Sequence, residues 1–353
     1  MAKNHAYRGR GSTISPDNRY SNYQREAFDD GWEGEAPPNK ITTQLMIDKA
    51  KTVITYNQSP DVPFDRSINP YRGCEHGCVY CFARPTHAYL DLSPGLDFES
   101  KLFYKSNAAE KLRDELAHKN YHPAPIALGV NTDAYQPVER KLEITRDILR
   151  VLIKQRHPLH ITTKSSLIER DIDLLAEGAS KQIVHVNISL TTLDHKLSRR
   201  MEPRAASPKR RLETIKRLTD AGIPVSVFVA PLIPVLNDHE LEAILNIARK
   251  QGAVDAVYIL LRLPHELDSI FNDWLLTHEP LKAEHIMNRI RDMRGGKSND
   301  TTFANRMTGT GVFADLIKQR FNVARKKLNF SRSYELRSDI FVIPNLSGQM
   351  SLF

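Results

Sequence analysis

The sequence is poor in cysteine. Three stand among 353 residues, Cys74, Cys78 and Cys81, and all lie within eight positions. An odd number of thiols confined to one short loop excludes a framework of internal disulfides. Long hydrophobic runs are missing too. The longest, 225–236, is broken by Ser226, Pro231 and Pro234 and is too short to cross a bilayer. The opening MAKNHAYRGRGSTISP has basic residues but no apolar core, so neither a secretory signal nor a membrane is expected, and a cytoplasmic location is. Reduced thiols suit that compartment. No internal repeat and no long low-complexity tract is visible. Neither sign of charge dominates: 50 basic residues against 42 acidic ones leave a net +8, which permits nucleic-acid binding without establishing it.

What is present is a loop, Cys74-Glu75-His76-Gly77-Cys78-Val79-Tyr80-Cys81, directly after the turn-rich Asn69-Pro70-Tyr71-Arg72-Gly73. Three soft thiolates on one loop suit a metal or an iron–sulfur cluster. A four-iron cubane held by three cysteines keeps one iron without a protein ligand, as a catalytic site requires. The competing reading is a structural zinc site completed by His76 or His87. Zinc folds usually bring two ligand pairs from distant parts of the chain, and no second pair exists here.

Around this loop the hydrophobic pattern alternates between short apolar runs and helical periods. Extended runs are predicted at 67–69, 125–130, 159–164, 183–190, 224–230 and 256–261. Helices are predicted at 141–157, from a capping box of Ser166 and Glu169 to about Gly178, from an N-cap at Ser207 to Gly222, and at 238–252. Short connections between alternating strands and helices imply parallel strands joined by right-handed crossovers. This pattern allows a doubly wound sheet or a partial barrel. The cysteine loop after the first strand and polar residues at the later strand ends favour the barrel, whose chemistry collects at the carboxyl ends.

Residues 1–60 read as a flexible, partly docked extension, the first 40 or so loosely attached and 41–57 resting on the core as a short helix or strand. Residues 61–265 hold the α/β alternation. Residues 266–353 form a C-terminal extension with helices predicted at 281–293 and 312–328. The second of these is basic. Lys318, Arg320, Arg325, Lys326, Lys327, Arg332 and Arg337 make this stretch a candidate phosphate-binding face, with a solvated helix as the alternative. Arg199, Arg200 and Arg204 form a second basic group, suited to a carboxylate or phosphate or simply to solvent.

The spacing C-x3-C-x2-C, with Tyr80 before the last cysteine, resembles the signature of the radical S-adenosylmethionine (SAM) superfamily. The wider block SINPYRGCEHGCVYCFARPTHAYLDLSPGLDFE, residues 67–99, resembles its spore photoproduct lyase-related branch and a bacterial subgroup within it. The resemblance implies an incomplete (β/α)6 barrel of TIM type carrying a [4Fe–4S] cluster on Cys74, Cys78 and Cys81. SAM would chelate the remaining iron, and a one-electron reductant such as flavodoxin or ferredoxin would drive its cleavage. The 5′-deoxyadenosyl radical so formed would abstract a hydrogen atom from substrate. SAM needs hydroxyls, amides and one cation at the strand ends. Asn131, Thr132, Asp133, Lys164, Ser189 and Asn237 are the candidates, with Tyr80 placed to stack on adenine. The resemblance marks Thr132 and Ser189 as hydroxyl contacts and Lys164 as the partner of the SAM carboxylate. The Gly-Gly-Glu that many radical SAM proteins carry after the second strand is replaced by Gly129-Val130-Asn131.

Kinship to the lyases points to a nucleic-acid substrate and lesion repair. Those lyases use an additional cysteine as hydrogen donor, whereas here all three cysteines are taken by the cluster, leaving Tyr135 or Tyr258 as alternatives. The competing functions are a radical SAM enzyme acting on a protein or small molecule, and a nucleic-acid-binding protein with a structural metal loop. Finally, Gln349-Met-Ser-Leu-Phe353 resembles the short peptide by which bacterial proteins bind the DNA polymerase sliding clamp, with packing on the barrel as the competing role.

Overall fold

The computed structural model describes residues 7–21, 41–303, 305–330 and 334–345. Its strands are β1 (Gln44–Ile47), β2 (Ile54–Tyr56), β3 (Arg66–Ile68), β4 (Tyr71–Arg72), β5 (Lys101–Tyr104), β6 (Ile126–Leu128), β7 (Leu159–Thr163), β8 (Val184–Ser189), β9 (Val225–Leu232) and β10 (Asp255–Leu260). One sheet has the order β10-β9-β8-β7-β6-β3-β2. From β3 to β10 every neighbouring pair is parallel, and β2 adds antiparallel to β3 at the edge. These six parallel strands are the six expected. β10 and β2 do not pair with each other, so the barrel stays open along one side. A smaller sheet, β1-β5-β4, lies beyond the cysteine loop.

Alternation along the strands sorts the side chains. Ile161, Val186, Val227 and Leu128 are buried in the main apolar core, which includes Ile148, Leu152, Leu175, Ile215 and Ile244 of the crossover helices. Their neighbours His160, Thr162, His185, Asn187 and Ser226 face the other way, and the lumen is correspondingly polar: His185 Nε2 and Ser226 Oγ lie 2.7 Å apart.

Helix 208–220 begins as the sequence predicts, with Ser207 capping the Arg210 amide and Pro208 in the first turn. The helix after β7 departs from expectation. Ser165, not Ser166, caps the start, by accepting from Leu167, and a 3-10 turn at Ser166–Asp171 precedes helix Ile172–Ser180. Glu169 is drawn off the capping role by Arg210, Thr214 and Arg217.

The C-terminal segment runs across the amino ends of the strands, where the Arg337 and Val342 amides donate to Gln182 and Gln155 at 2.9 Å. Helix Leu267–His278 is not among the helices expected above. It buries Ile270, Phe271 and Trp274 in a second core beside the cysteine loop, with Val79, Tyr80 and Leu261. Helix Val312–Lys327 is basic as expected, but Arg320 pairs with Glu242 at 2.7 Å and Arg325 with Asp255 at 2.5 Å. Those two arginines fasten the helix to the barrel and are not a displayed phosphate face. Gln349–Phe353 lies outside the described residues. Among the described residues no helix is long and apolar enough to cross a membrane.

Candidate active site

The cysteine loop leaves β4 at the carboxyl end of the barrel and is tied down along its whole length. The Cys74 amide donates to Phe98, Val79 to Met201 and Cys81 to Cys78, while the Arg204 amide donates to His76. Gln136 accepts from the Glu75 amide at 2.8 Å. Arg84, wholly buried, reaches back beneath the loop and donates to the carbonyls of Cys78 at 2.8 Å, Gly77 at 3.2 Å, Gly95 at 2.9 Å and Pro94 at 3.1 Å. It also pairs with the buried carboxylate of Glu99.

Glu99 in turn accepts the backbone amides of Gly11 and Ser12, each at 2.9 Å. Residues 7–21, part of the extension read as flexible and partly docked, thus lie against the loop, with Arg10 donating to Ile41 and Thr43. The approach is close enough to require glycine on both sides. A Cβ on Gly11 would fall 1.8 Å from the Gly77 carbonyl oxygen. Gly77 itself has φ +66°, and a Cβ there would meet Glu99 at 2.6 Å.

Cys74 and Cys78 are buried and Cys81 is half-buried. Burial pushes the Cys74 thiol well above its usual range, with Asp133 and the other two sulfurs adding to the rise. Burial also raises Cys78 and Cys81, and the Lys164 ammonium pulls both back. Mutual influence of this kind requires three sulfurs that share one region, and buried thiols gain most from deprotonation on a metal. Among the described residues no three His, Cys, Asp or Glu side chains converge as the ligands of a single ion must. Thiolates on separate corners of a cluster need not converge in that way. His87, one candidate fourth zinc ligand, has Nε2 on the Lys101 carbonyl at 3.0 Å and its ring edge-on to Phe98. His76, the other, has Nδ1 3.2 Å from Asp133. The donor set, the cation and the backbone restraint all fit an iron–sulfur cluster.

The other predicted site residues gather at the carboxyl ends of β6, β7, β8 and β9, but they do not all present free groups. Lys164 is half-buried, its Nζ 5.8 Å from the centre of the Tyr80 ring. Asn131 is half-buried, with its amide on Asn69 at 2.9 Å. Thr132 is buried and its hydroxyl donates to Tyr71 at 2.7 Å. Asp133 accepts from the Thr163 hydroxyl at 2.7 Å and from the Lys164 and Tyr135 amides at 2.8 Å. Burial alone would raise its carboxyl, yet His76, the Lys164 amide and Thr163 bring it down to about 2. Ser189 donates to Ala230 at 3.1 Å. Asn237, fully buried, accepts from Ile233 at 2.6 Å and donates to Thr191 at 2.7 Å and Pro231 at 3.1 Å.

Tyr80 is held from behind. Its hydroxyl donates to Glu202 and lies 3.1 Å from Thr191, and Glu202 forms a buried ion pair with Arg211. This network lies between β8 and the following helix. Sequence reading misses it because Glu202 stands among arginines that resemble a surface loop. Arg200 and Arg204 of that loop pair with Glu279 at 2.7 Å and Glu75 at 2.9 Å. The two tyrosines considered as hydrogen donors lie elsewhere. Tyr135 donates to Asp171 within the core, and Tyr258 packs on Phe321 of the C-terminal helix.

A three-thiol loop at the mouth of an open six-stranded parallel barrel, backed by a lysine and strand-end polar groups, defines a class of cofactor-dependent enzymes that bind at the carboxyl ends of the strands. The chain belongs to the radical SAM superfamily, whose family model matches residues 68–248. It is an enzyme of that superfamily. It is similar to an uncharacterised protein of Mycobacterium tuberculosis, 37% identical over 234 residues, 66% of this chain and 68% of that one. An uncharacterised protein of Methanocaldococcus jannaschii is 32% identical over 198 residues, 56% of this chain and 71% of its own. Among solved structures, a spore photoproduct lyase mutant with bound AdoMet and dinucleoside spore photoproduct superposes with a TM-score of 0.53. It covers 80% of this chain and 79% of the lyase at 12% identity, a likeness of fold.

Proposed function

We propose that this chain uses a [4Fe–4S] cluster on Cys74, Cys78 and Cys81 to cleave SAM and abstract hydrogen from a nucleic-acid substrate. The observation that carries the reading is the loop itself: three thiols, two buried and one half-buried, on a loop pinned by Arg84 and Glu99, with the Lys164 charge acting on two of them. When bound, the cluster and SAM supply the electron transfer and the radical.

The protein's part is to hold and to exclude. Lys164 and Asn131 are half-buried with side chains not engaged in hydrogen bonds among the described residues, whereas the half-buried Asp133 is engaged, so these two are left to meet the cofactor. The Lys164 ammonium would take the carboxylate of SAM. Tyr80, Thr132, Asp133, Ser189 and Asn237 would support the same site by fixing its backbone, since their polar groups are engaged with the chain. Two apolar clusters, Cys78 with Val79, Leu261 and Phe271, and Cys74 with Ala83 and Phe98, would keep water from the sulfurs. The nucleic-acid assignment draws on the fold shared with a lyase whose structure holds a dinucleoside lesion. A flavodoxin- or ferredoxin-type reductant, a cytoplasmic setting and delivery by a sliding clamp belong to the same reading. The clamp rests on Gln349–Phe353 alone.

The test is anaerobic reconstitution with iron and sulfide, followed by reductant and SAM. Formation of 5′-deoxyadenosine that rises when ultraviolet-irradiated DNA is added is the expected result. Loss of iron and turnover in Cys78→Ala would tie it to the loop. Zinc uptake without iron in the reconstituted protein would overturn the cluster, and turnover indifferent to nucleic acid would overturn the substrate class.

A further inference from the structure

The open side of the barrel carries a feature that the cofactor site does not use. β10 and β2 are the two free edges of the large sheet. Residues 305–310 touch the end of β10, where the Leu260 amide donates to Met307 at 2.9 Å. Arg306 then reaches across to pair with both oxygens of Asp61, in the loop between β2 and β3. That pair strings two hydrogen bonds across the gap and marks its rim.

Near it stands Arg262, two residues beyond β10 and in contact with Met307. Asp61 is the carboxylate whose charge reaches it, and Asp61 is already spent on Arg306. Among the described residues Arg262 has no carboxylate or carbonyl partner. Its Nε is buried without a hydrogen bond, and its Nη1 reaches only the weak acceptor Met307 Sδ at 3.8 Å. Arg84, Arg211 and Arg294 each donate to several carbonyls, and Arg200 and Arg210, which also keep one unbonded buried nitrogen, are paired with the carboxylates of Glu279 and Glu169. An unsatisfied guanidinium at a rim is costly unless something outside the chain completes it.

The surroundings say what kind of group that is. The Arg262 guanidinium lies 5.9 Å from the ring centre of Phe82, the residue after Cys81. Phe82 is 48% exposed. On the other side Phe303 is 47% exposed and stacks under Arg306 at 4.7 Å. Two solvent-facing phenyl rings alternate with two arginines across a few residues of rim, beside the cysteine loop. A flat apolar face next to a fork-shaped cation suits a base next to a phosphodiester.

We propose that Arg262, Phe82 and Phe303 form the strand-binding rim of the site, taking a single nucleic-acid strand with a phosphodiester on Arg262 and a base stacked on Phe82. The inference rests on the nucleic-acid reading above and adds where the strand enters: through the open side between β10 and β2, alongside the cluster loop. It also explains why a large hydrophobic side chain is exposed next to Cys81. Phe82 is working surface rather than core.

The test uses the full-length, cluster-loaded protein and a fluorescein-labelled single-stranded oligothymidylate of about 12 nucleotides, within the span of known single-strand sites. Affinity is measured by anisotropy over a range of salt. Arg262→Gln is expected to make the dependence of log K on log salt shallower by about 0.7, one phosphate contact on a single strand. Phe82→Ala is expected to weaken binding roughly tenfold, as for loss of one stacked base. Arg262→Lys, which keeps the charge, should retain the salt slope and so separates a phosphate contact from misfolding. Binding by the wild type with unchanged affinity and slope in both variants would overturn this inference and leave the substrate class standing. No binding by the wild type at low salt would overturn the substrate class as well. Equally tight binding of polyglutamate would reassign Arg262 to carboxylates, and loss of SAM affinity in Arg262→Gln would reassign it to the cofactor; either defeats the proposal.

Discussion

Replacing Arg84 with methionine tests whether the cysteine loop is built from below. The guanidinium is fully buried and is bonded to four carbonyls, those of Gly77, Cys78, Pro94 and Gly95. It is also paired with Glu99, itself fully buried. Methionine keeps much of the volume and the contact with Phe98, whose ring lies 5.4 Å from the guanidinium carbon. It leaves Glu99 with only the amides of Gly11 and Ser12 as neutral partners. Breaking a buried ion pair by removing one member costs about 3–5 kcal/mol. The abandoned carbonyls add to that, at about 1 kcal/mol for each one left without a donor. The Cys78 carbonyl keeps the Cys81 amide, so with one to three carbonyls abandoned the loss is expected at about 4–8 kcal/mol, a large share of the roughly 5–15 kcal/mol that holds a domain together. Urea unfolding of the apo protein, compared at constant slope, gives the value. Adding Glu99→Gln removes the orphaned charge, so the double variant should recover about 1–3 kcal/mol relative to the sum of the singles. Should Arg84→Met fold too poorly to measure, Arg84→Lys preserves the charge and loses the fork, and should fall between. A loss under about 1 kcal/mol, or strict additivity in the double variant, would refute the view that this pair carries the loop.

Lys164→Ala should weaken SAM binding by about 1.5–3 kcal/mol, the range for a charge-assisted hydrogen bond, with iron content retained; unchanged affinity by equilibrium dialysis would remove Lys164 from the cofactor. His157 gives a pH prediction. Burial lowers it to about 4, and its neutral ring is satisfied by Tyr121 at 2.7 Å and the Pro158 carbonyl at 3.0 Å. A histidine depressed on folding contributes stability that is complete above its ordinary pKa near 6.5 and is lost as pH falls toward 4, here about 3 kcal/mol. His157→Asn should therefore flatten the fall in urea midpoint between pH 7 and pH 4, and an undiminished fall would show the ring is not its source. Truncation after Gly348 should abolish binding to purified sliding clamp if Gln349–Phe353 is the docking peptide, and equal binding by both forms would assign the tail another role.

Much of the barrel is legible in the sequence because its signals are local. Strand runs such as 183–190 and the Ser207-Pro208 helix start depend on side-chain periodicity and on backbone amides a few residues away, which the chain carries in its own order. The C-x3-C-x2-C spacing is equally local, so the three thiols group together on spacing alone. Helix Leu267–His278 carries the same kind of local signal, with Leu267, Ile270, Phe271, Trp274 and Leu275 at helical spacing and Asp268, Asn272 and Asp273 between them, although the expected C-terminal extension has no helix there.

What the linear order could not decide is which charges meet. Glu99 and Arg84 are 15 positions apart, but Gly11, the third party, stands 88 positions from Glu99, and nothing in RGRGS announces a docked segment. Arg320 and Arg325 read as a basic face until the fold set Glu242 and Asp255 against them. Glu202 read as one charge in a solvent loop, and the fold buried it under Tyr80 with Arg211. Arg262 went the other way, an ordinary arginine in sequence that tertiary structure left at an open rim with its neighbouring carboxylate already engaged. The sequence by itself determined the six parallel strands, most of their crossover helices and the three-thiol loop, because periodicity and spacing are properties of neighbours along the chain. Only the tertiary structure decided which buried charges are cancelled and which one is left for a ligand, because Coulomb and desolvation energies depend on distances in space between residues that sequence order keeps far apart.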